Sequence, residues 1–367
     1  MKTVITSLSL LFSLIFVQAD SGITFGPYVQ RVSETGATIF IRTDEAQVLT
    51  LNYRKVGADT WKTIEDNSAK TVHRFRLATL KQGREYEYFI ANADGDHLTL
   101  TYTFQTEKDV TTDDPLRVAV VGDFGAFTTD ELRVVTQMMW WKPDIILTTG
   151  DNAYESGTLD EYTNNVFKPY QPLLAEVPMY ASMGNHDYTT EEGDPMKEVF
   201  EMPTGNSGTE DYYSFNYDNI HFVAVNSNLD YTVGSDQYTW LQEDLETADQ
   251  RWKIVYFHHP VYSSGDHGST SGMDSILAPL FSANDVDLVL NGHDHDYERN
   301  QKVSGVLYVV TGGGGRSLYS ESNENPYSKV FLAEYHFVGL IIQTDELKLK
   351  AIDKRGYAFD EKRLSKD

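Results

Sequence analysis

Five apolar runs in this chain each end on a cluster of metal-binding residue types: LRVAVVGDFG, DIILTTGDNAY, VPMYASMGNHD, WKIVYFHH and VDLVLNGHDH. A run of Val, Ile and Leu without polar alternation marks a strand buried on both faces, and ligands in open α/β sheets gather beyond the carboxyl ends of such strands. The pattern predicts that Asp123, Asp151, Tyr154, Asn185, His186, His258, His293 and His295 converge at one edge of one sheet. A lone Gly-Asp or Gly-His pair is an ordinary turn; five in series are not. His186, His258, His259, His293 and His295 all stand at the ends of runs, whereas His221, inside NIHFVAVNS, reads as a strand histidine with no ligand role.

The start of the chain is built for export. Met1-Lys2, an apolar stretch from Val4 to Val17 and the small-residue site Val17-Gln18-Ala19 predict a signal peptide over residues 1–19, cleaved before Asp20. The stretch is too short to favour a transmembrane anchor. With no cysteine in 367 residues, the chain must stand without disulfides, and zinc-thiolate sites and cysteine nucleophiles are excluded. It also lacks any Asn-x-Ser/Thr acceptor, which leans toward a periplasmic or secreted bacterial setting. The formal charge of -25 repels nucleic acid and anionic membrane, so neither is an expected partner. An anionic substrate must then be drawn in by local positive charge, which metal ions supply.

Two domains are expected. Residues 23–107 alternate in short strand-like segments such as ATIFIR, LTLNYR and LTLTYTFQ; seven or so of these predict a β-sandwich, with Tyr86 or Tyr88 of LKQGREYEYFI at a tyrosine corner. This part resembles a fibronectin type III module. Residues 108–115, KDVTTDDP, read as a linker. From residue 116 to 367 apolar strands alternate with helical stretches at Asp130 to Trp141, Ser235 to Glu246 and Gly272 to Ala283. Two antiparallel hairpins, turning at Asp218-Asn219 and near Asp345, predict a mixed α/β domain with two sheets flanked by helices.

His293 and His295 lie two apart, so in an extended segment they share a face and reach neighbouring metals, and the two oxygens of Asp151 can bridge two ions. Two ions about 3.5–4 Å apart can clamp the attacking and leaving oxygens of a phosphoryl displacement. The blocks GDFG, GDNAY, GNHD, VYFH and GHDH resemble those of the calcineurin-like metallophosphoesterases. Gly-Asp-x-x-Tyr, the preceding fibronectin-like domain and GHDHDYER are similar to the purple acid phosphatases.

That resemblance implies a first metal held by Asp123, Asp151, Tyr154 and His295, and a second held by Asp151, Asn185, His258 and His293. The first set, with carboxylates and a phenolate, suits a trivalent ion and the second a divalent one. The family leads us to expect Fe(III) with Zn, Mn or Fe(II). The implied function is a secreted acid phosphatase in which a metal-bound hydroxide attacks a small phosphate monoester directly, without a phosphoenzyme. His186, beside the ligand Asn185, is the expected proton donor, and His267 in SSGDHGSTSG resembles a phosphate-contacting loop histidine.

Other residues have plainer readings. His259 is expected to support or pack against the ligands, Asp187 to orient a histidine or lie exposed, and Arg299 to anchor its block. The glycines of TGGGG, Gly312 to Gly315, lack the Gly-Lys-Ser/Thr of a P-loop and read as a flexible turn that lets backbone pass near the site. Tyr188 to Asp211 and Ser320 to Lys329 are candidate pocket rims. The rival functions are a phosphodiesterase or nucleotidase on the same two metals and a non-catalytic adhesion or binding protein, which the intact ligand set disfavours. Nothing in the pattern specifies an oligomer.

Overall fold

In the computed structural model the described residues are 22–366, so the expected signal peptide lies outside them. The N-terminal part contains five strands rather than seven: β1 Ile23–Gln30, β2 Ala37–Lys55, β3 Lys62–Leu77, β4 Glu85–Asn92 and β5 Tyr102–Gln105. Segments that look separate in sequence are joined, because β2 runs for 19 residues and β3 for 16. The first half of β2 pairs with β1 and the second half with β4, while β3 follows both. Register shifts between Arg42 and Leu49 let this long ladder bend. Val29, Ile39 and Ile41 from one half and Leu51, Tyr88 and Ile90 from the other then share one hydrophobic cluster.

The two corner candidates have different roles. The Lys81 amide donates to the Tyr86 hydroxyl at 3.0 Å, the local bond of a tyrosine corner. Tyr88 instead donates to the carbonyl of Ala175 at 2.7 Å, reaching into the C-terminal part.

This contact belongs to a broad junction. Phe25 and Tyr28 stack on Phe167 at 4.6 and 4.7 Å, joining the larger core. Beside them the buried carboxylate of Glu201 meets Arg76 at 2.9 Å, Arg31 at 3.4 Å and Arg74 at 3.8 Å. The segment 108–115 is pinned rather than loose: the Val110 amide donates to Asp218 at 2.7 Å and the Lys108 amide to the Tyr217 hydroxyl at 3.2 Å.

The C-terminal part carries two sheets. Strands β6 Leu116–Val121, β7 Ile145–Thr148 and β8 Met179–Ala181 are parallel. The other seven-strand sheet contains β9 Tyr213–Tyr217, β10 Ile220–Ala224, β11 Trp252–Tyr256, β12 Leu288–Asn291, β13 Tyr297–Asn300, β14 Leu307–Thr311 and β15 Ser328–Leu332. Strands β16 His336–Ile342, β17 Glu346–Asp353 and β18 Ala358–Ser365 return to complete the first sheet, in the order β18-β17-β16-β6-β7-β8.

Period-two alternation explains how the sheets pack. Phe222, Ile254, Leu288 and Leu307 of the larger sheet join Val118, Ile146 and Leu340 of the smaller in one core. The intervening Val223, Val255, Val289 and Tyr308 join a second cluster with Leu241 and Leu277. Those two leucines come from the expected helices, found at Asp236–Thr247 and Met273–Ala283; the third is at Thr129–Trp141, started by a capping box between Thr128 and Glu131. Both hairpins form as expected, with Asp218 at φ 48° in the first turn.

Glu107 lies buried where the two parts meet and accepts the Asp218 amide at 2.6 Å. Burial pushes its carboxyl up from the ordinary 4.5 to about 7. The native state therefore holds this proton more tightly than the unfolded chain, and the associated stability is lost as pH rises from about 4.5 through 7. Glu107→Gln keeps the acceptor oxygen and removes the ionisation. Its melting temperature should match the parent near pH 4.5 and exceed it at pH 7.5, by about 1–3 kcal/mol of stability; thermal melts across that range check this.

Candidate metal centre

The five blocks converge, but not at one edge of one sheet. Asp123, the Asp151–Tyr154 loop and Asn185 follow β6, β7 and β8 of the six-stranded sheet, while His258 and the His293–His295 segment follow β11 and β12 of the seven-stranded sheet. Two sheets packed face to face can each present strand ends to one cleft, which gives access from both sides. Asp123, Asp151 and His293 stand at φ 56°, 50° and 71°. This left-handed backbone is uncommon for residues with a Cβ. It turns the chain sharply at three of the seven candidate ligands. His293 and His295 accordingly leave an irregular turn and not the extended segment expected.

The expected metal sets appear as two groups of closely facing atoms. The Tyr154 hydroxyl lies 3.0 Å from Asp151 Oδ2, 3.3 Å from Asp123 Oδ1 and 3.2 Å from His295 Nε2. His295 Nε2 is 3.5 Å from Asp123. On the other side, His258 Nε2 lies 2.9 Å from Asn185 Oδ1, 3.1 Å from His293 Nδ1 and 3.4 Å from Asp151 Oδ2. Asp151 thus faces both groups. Atoms of Asp123, Asp151 and His258 fall within 4.8 Å of one another, and all three residues are buried.

Carbonyl oxygens orient two of the rings. His258 Nδ1 lies 2.9 Å from the Thr149 carbonyl and His295 Nδ1 2.7 Å from that of Ser317, so each ring donates there and turns its Nε2 to the centre. The loops approach so closely that a Cβ on Gly184 would fall 2.1 Å from the Asp151 amide nitrogen.

The charges leave room for cations. Burial disfavours ionised Asp151, yet His258 and His186 outweigh it and hold its carboxyl far below the ordinary range. Against its own burial, His258 is pushed up to about 9, chiefly by Asp151. Burial raises Asp123, and burial with the carboxylates of Asp123 and Asp151 holds the Tyr154 phenol well above its usual value. Two carboxylates, a phenol, an amide oxygen and three imidazoles facing two points fit a pair of hard or borderline cations, whose charge would also release the phenol proton.

His186 lies at the mouth, with Nδ1 2.6 Å from the Glu155 carbonyl and Nε2 3.9 Å from Asp151. The exposed His267 stacks on His293 at 4.1 Å. His259 lies 2.7 Å from the Ser227 hydroxyl and 4.5 Å from the His293 ring, with burial and His258 lowering it to about 3. Arg299 makes a two-point contact with Asp360, and His221 bonds Asp244 at 2.8 Å, away from the ligands.

Asp187 neither orients a histidine nor lies exposed. It is fully buried and accepts from the Gly184, Asn152 and Ala153 amides and the Tyr162 hydroxyl, tying the second and third blocks together. Part of the expected rim at 188–211 lies at the domain junction, where Glu198 bonds Arg42 and the Val199 carbonyl accepts from Tyr28. The segment 320–329 does meet the His267 loop, through Asn323 on the Gly265 carbonyl at 2.5 Å.

Sequence reading passed over Asp294. Its buried carboxylate takes the Ser263 hydroxyl at 2.5 Å and the His267 amide at 2.7 Å, which fixes the loop carrying His267. The His-Asp-His-Asp alternation of GHDHD was the available signal, with the acids opposed to the imidazoles. The glycines of TGGGG are buried and not a flexible turn: a Cβ on Gly312 would lie 2.1 Å from the Asp294 carbonyl, and one on Gly314 2.3 Å from that of Gly122.

Residues 116–297 match the family described as calcineurin-like phosphoesterase. The chain thus carries a domain of that family, and purple acid phosphatases are among its relatives. It is 28% identical to purple acid phosphatase 15 of Arabidopsis thaliana over 66% of this chain and 53% of that protein. It is 32% identical to purple acid phosphatase 18 of the same plant, over 55% and 50% respectively. The chain thus spans about half the length of these relatives. The purple acid phosphatase PPD1 from yellow lupin seeds superposes with a TM-score of 0.81 at 21% identity, over 93% of this chain and 74% of that one, which establishes the common fold.

The two-group geometry makes a prediction about stoichiometry. The parent should carry about two ions per chain. Asn185→Ala touches one group and should retain about one, whereas Asp151→Ala touches both and should retain close to none. Elemental analysis of purified variants, with melting curves to confirm folding, checks the order.

Proposed function

We propose that this chain is a metal-dependent acid phosphatase that hydrolyses small phosphate monoesters at a dinuclear centre. The observation that carries the reading is the Tyr154 hydroxyl, set between Asp123, Asp151 and His295 at 3.0 to 3.3 Å. A phenolate with two carboxylates suits Fe(III), and the group of Asn185, His258 and His293 with shared Asp151 suits a divalent ion, Zn, Mn or Fe. When bound, these ions supply Lewis acidity, neutralising phosphate charge and lowering the pKa of coordinated water.

The chain's own part is to position ester and proton. His186 donates from Nδ1 to the Glu155 carbonyl, leaving Nε2 toward Asp151 and the cleft. A protonated Nε2 can pass its proton to the departing alcohol oxygen, and the Asp151 carboxylate stabilises that imidazolium. His267, held over His293 by Asp294, faces the same opening and is the candidate contact for the phosphoryl oxygens. The leader over residues 1–19 would export the enzyme, with residues 23–107 as a β domain and 116–367 as the catalytic domain.

Three measurements test this reading. The purified protein should absorb in the visible by phenolate-to-iron charge transfer, and Tyr154→Phe should lose that band; active, colourless zinc or manganese enzyme would refute the ferric assignment alone. The parent should prefer p-nitrophenyl phosphate to its bis-ester, and the reverse order would favour the phosphodiesterase reading. His186→Ala should lower kcat by about 10²-fold for an alkyl phosphate and much less for p-nitrophenyl phosphate, whose leaving group needs no proton. Equal losses on both substrates would remove His186 from the proton-donor role.

A further inference from the structure

The buried glycines lead directly to a cation. After Gly315 the chain emerges at the mouth, where the Arg316 amide donates to the Asp123 carbonyl at 3.0 Å. The Arg316 guanidinium lies 4.9 Å from the centre of the Tyr154 ring, on the wall of the candidate metal centre. It is gripped at two points by Glu155, at 2.6 and 2.8 Å. Three residues on, Tyr319 stacks over His295 at 4.1 Å. The loop therefore places one arginine and one aromatic ring against two candidate ligands of the same group. The glycines are needed for this path, because a Cβ on Gly312 would also fall 2.7 Å from Asp123 Oδ2.

We propose that Arg316 is a specificity residue that binds a second anionic group on the substrate, adjacent to the phosphoryl group at the centre. The substrates it favours carry a further phosphate or carboxylate close to the scissile ester. This rests on the phosphatase reading and sharpens its substrate class. Three observations support it. A chain of formal charge -25 gains most from a cation where anions must enter. The planar guanidinium offers a fork that matches phosphate or carboxylate oxygens. Its present partner is open to solvent, since the Glu155 side chain is 61% exposed and that of Arg316 35%. Water and salt screen such a pair, so a dianion can compete with the single charge of the glutamate, which keeps the fork in place between turnovers.

Arg316 has an alternative, purely positioning role: it bonds the side chain of Glu155, whose carbonyl holds His186. The two roles separate in a binding experiment that needs no turnover. Methylphosphonate, methylenediphosphonate and phosphonoacetate are titrated calorimetrically into the metal-loaded full chain, its Arg316→Ala and Arg316→Lys variants and Glu155→Gln. Recognition predicts that Arg316→Ala lowers the preference for methylenediphosphonate over methylphosphonate by about tenfold. Arg316→Lys should keep part of that preference, and Glu155→Gln, which frees the fork, should raise it. A comparable loss with phosphonoacetate would identify a carboxylate as an equally good second group; a loss confined to the diphosphonate would identify phosphate. An unchanged preference in Arg316→Ala, or equal weakening of all three ligands, overturns the proposal. Lack of turnover in the parent would sink the phosphatase reading, whereas an unchanged preference would sink the role of Arg316.

Discussion

The rest of the structure depends on holding two buried carboxylates, those of Asp123 and Asp151, close to one phenol. Each charge is costly out of water unless paired. Their hydrogen-bond partners are the Tyr154 hydroxyl, the His186 and His293 amides, and imidazoles that face both groups. Amides and imidazoles reduce that cost, and cations at the cluster would reduce it further. A fold that brings these groups together is therefore incomplete in charge until cations join it, and cation binding becomes part of its stability. Against its own burial Asp151 is held acidic by His258 and His186, while burial and the two carboxylates keep the proton on the Tyr154 phenol.

Such a cluster needs a scaffold that will not relax. Loops from the two sheets supply it by pairing backbone with backbone. The Asp123 amide donates to the Gly150 carbonyl and the Phe124 amide to that of Asp151, so the first two blocks are locked at the turns where φ is positive. Asp187 then locks the second block to the third, and Asp294 fixes the His267 loop against the fifth. Asp187 and Asp294 both take backbone donors, which occupies oxygens that would otherwise compete for cations.

The legible parts of the sequence were those governed by periodicity. Strand runs, three helices and two hairpins follow from apolar spacing and turn residues, and the donor types at the run ends brought the candidate ligands into view. What sequence could not give was which sheet each run joins, because Ile145–Thr148 and Leu288–Asn291 are equally apolar yet lie in different sheets. Short strand-like pieces also hid the continuity of β2, since Asp44 between ATIFIR and LTLNYR reads as a turn residue where the strand only shifts register and bends. Buried charge misled most. Asp187, Asp294 and Glu201 carry no local mark of burial, and only three-dimensional neighbours reveal them as acceptors for distant amides and arginines. The glycines of TGGGG carry no positive φ; they are small because other backbone is there, a fact with no local signature.

The N-terminal sheet enters this network and is not an appendage to it. Phe25 and Tyr28 hold Phe167, which lies within the helical segment 159–174 that follows the Tyr154 loop. One turn earlier in that segment, Tyr162 donates to Asp187 at 2.6 Å. Asp187 bonds the amides of Asn152 and Gly184, each next to a candidate ligand. On the far side of the third block, Glu201 and the Val199 carbonyl are held by Arg76, Arg31 and Tyr28. Two of the five ligand-bearing segments are thus braced from behind by one surface of the β domain. Because packed cores shift as units rather than yielding locally, removing that surface would loosen the Asp151 and Asn185 loops together, the pair on which the shared carboxylate depends.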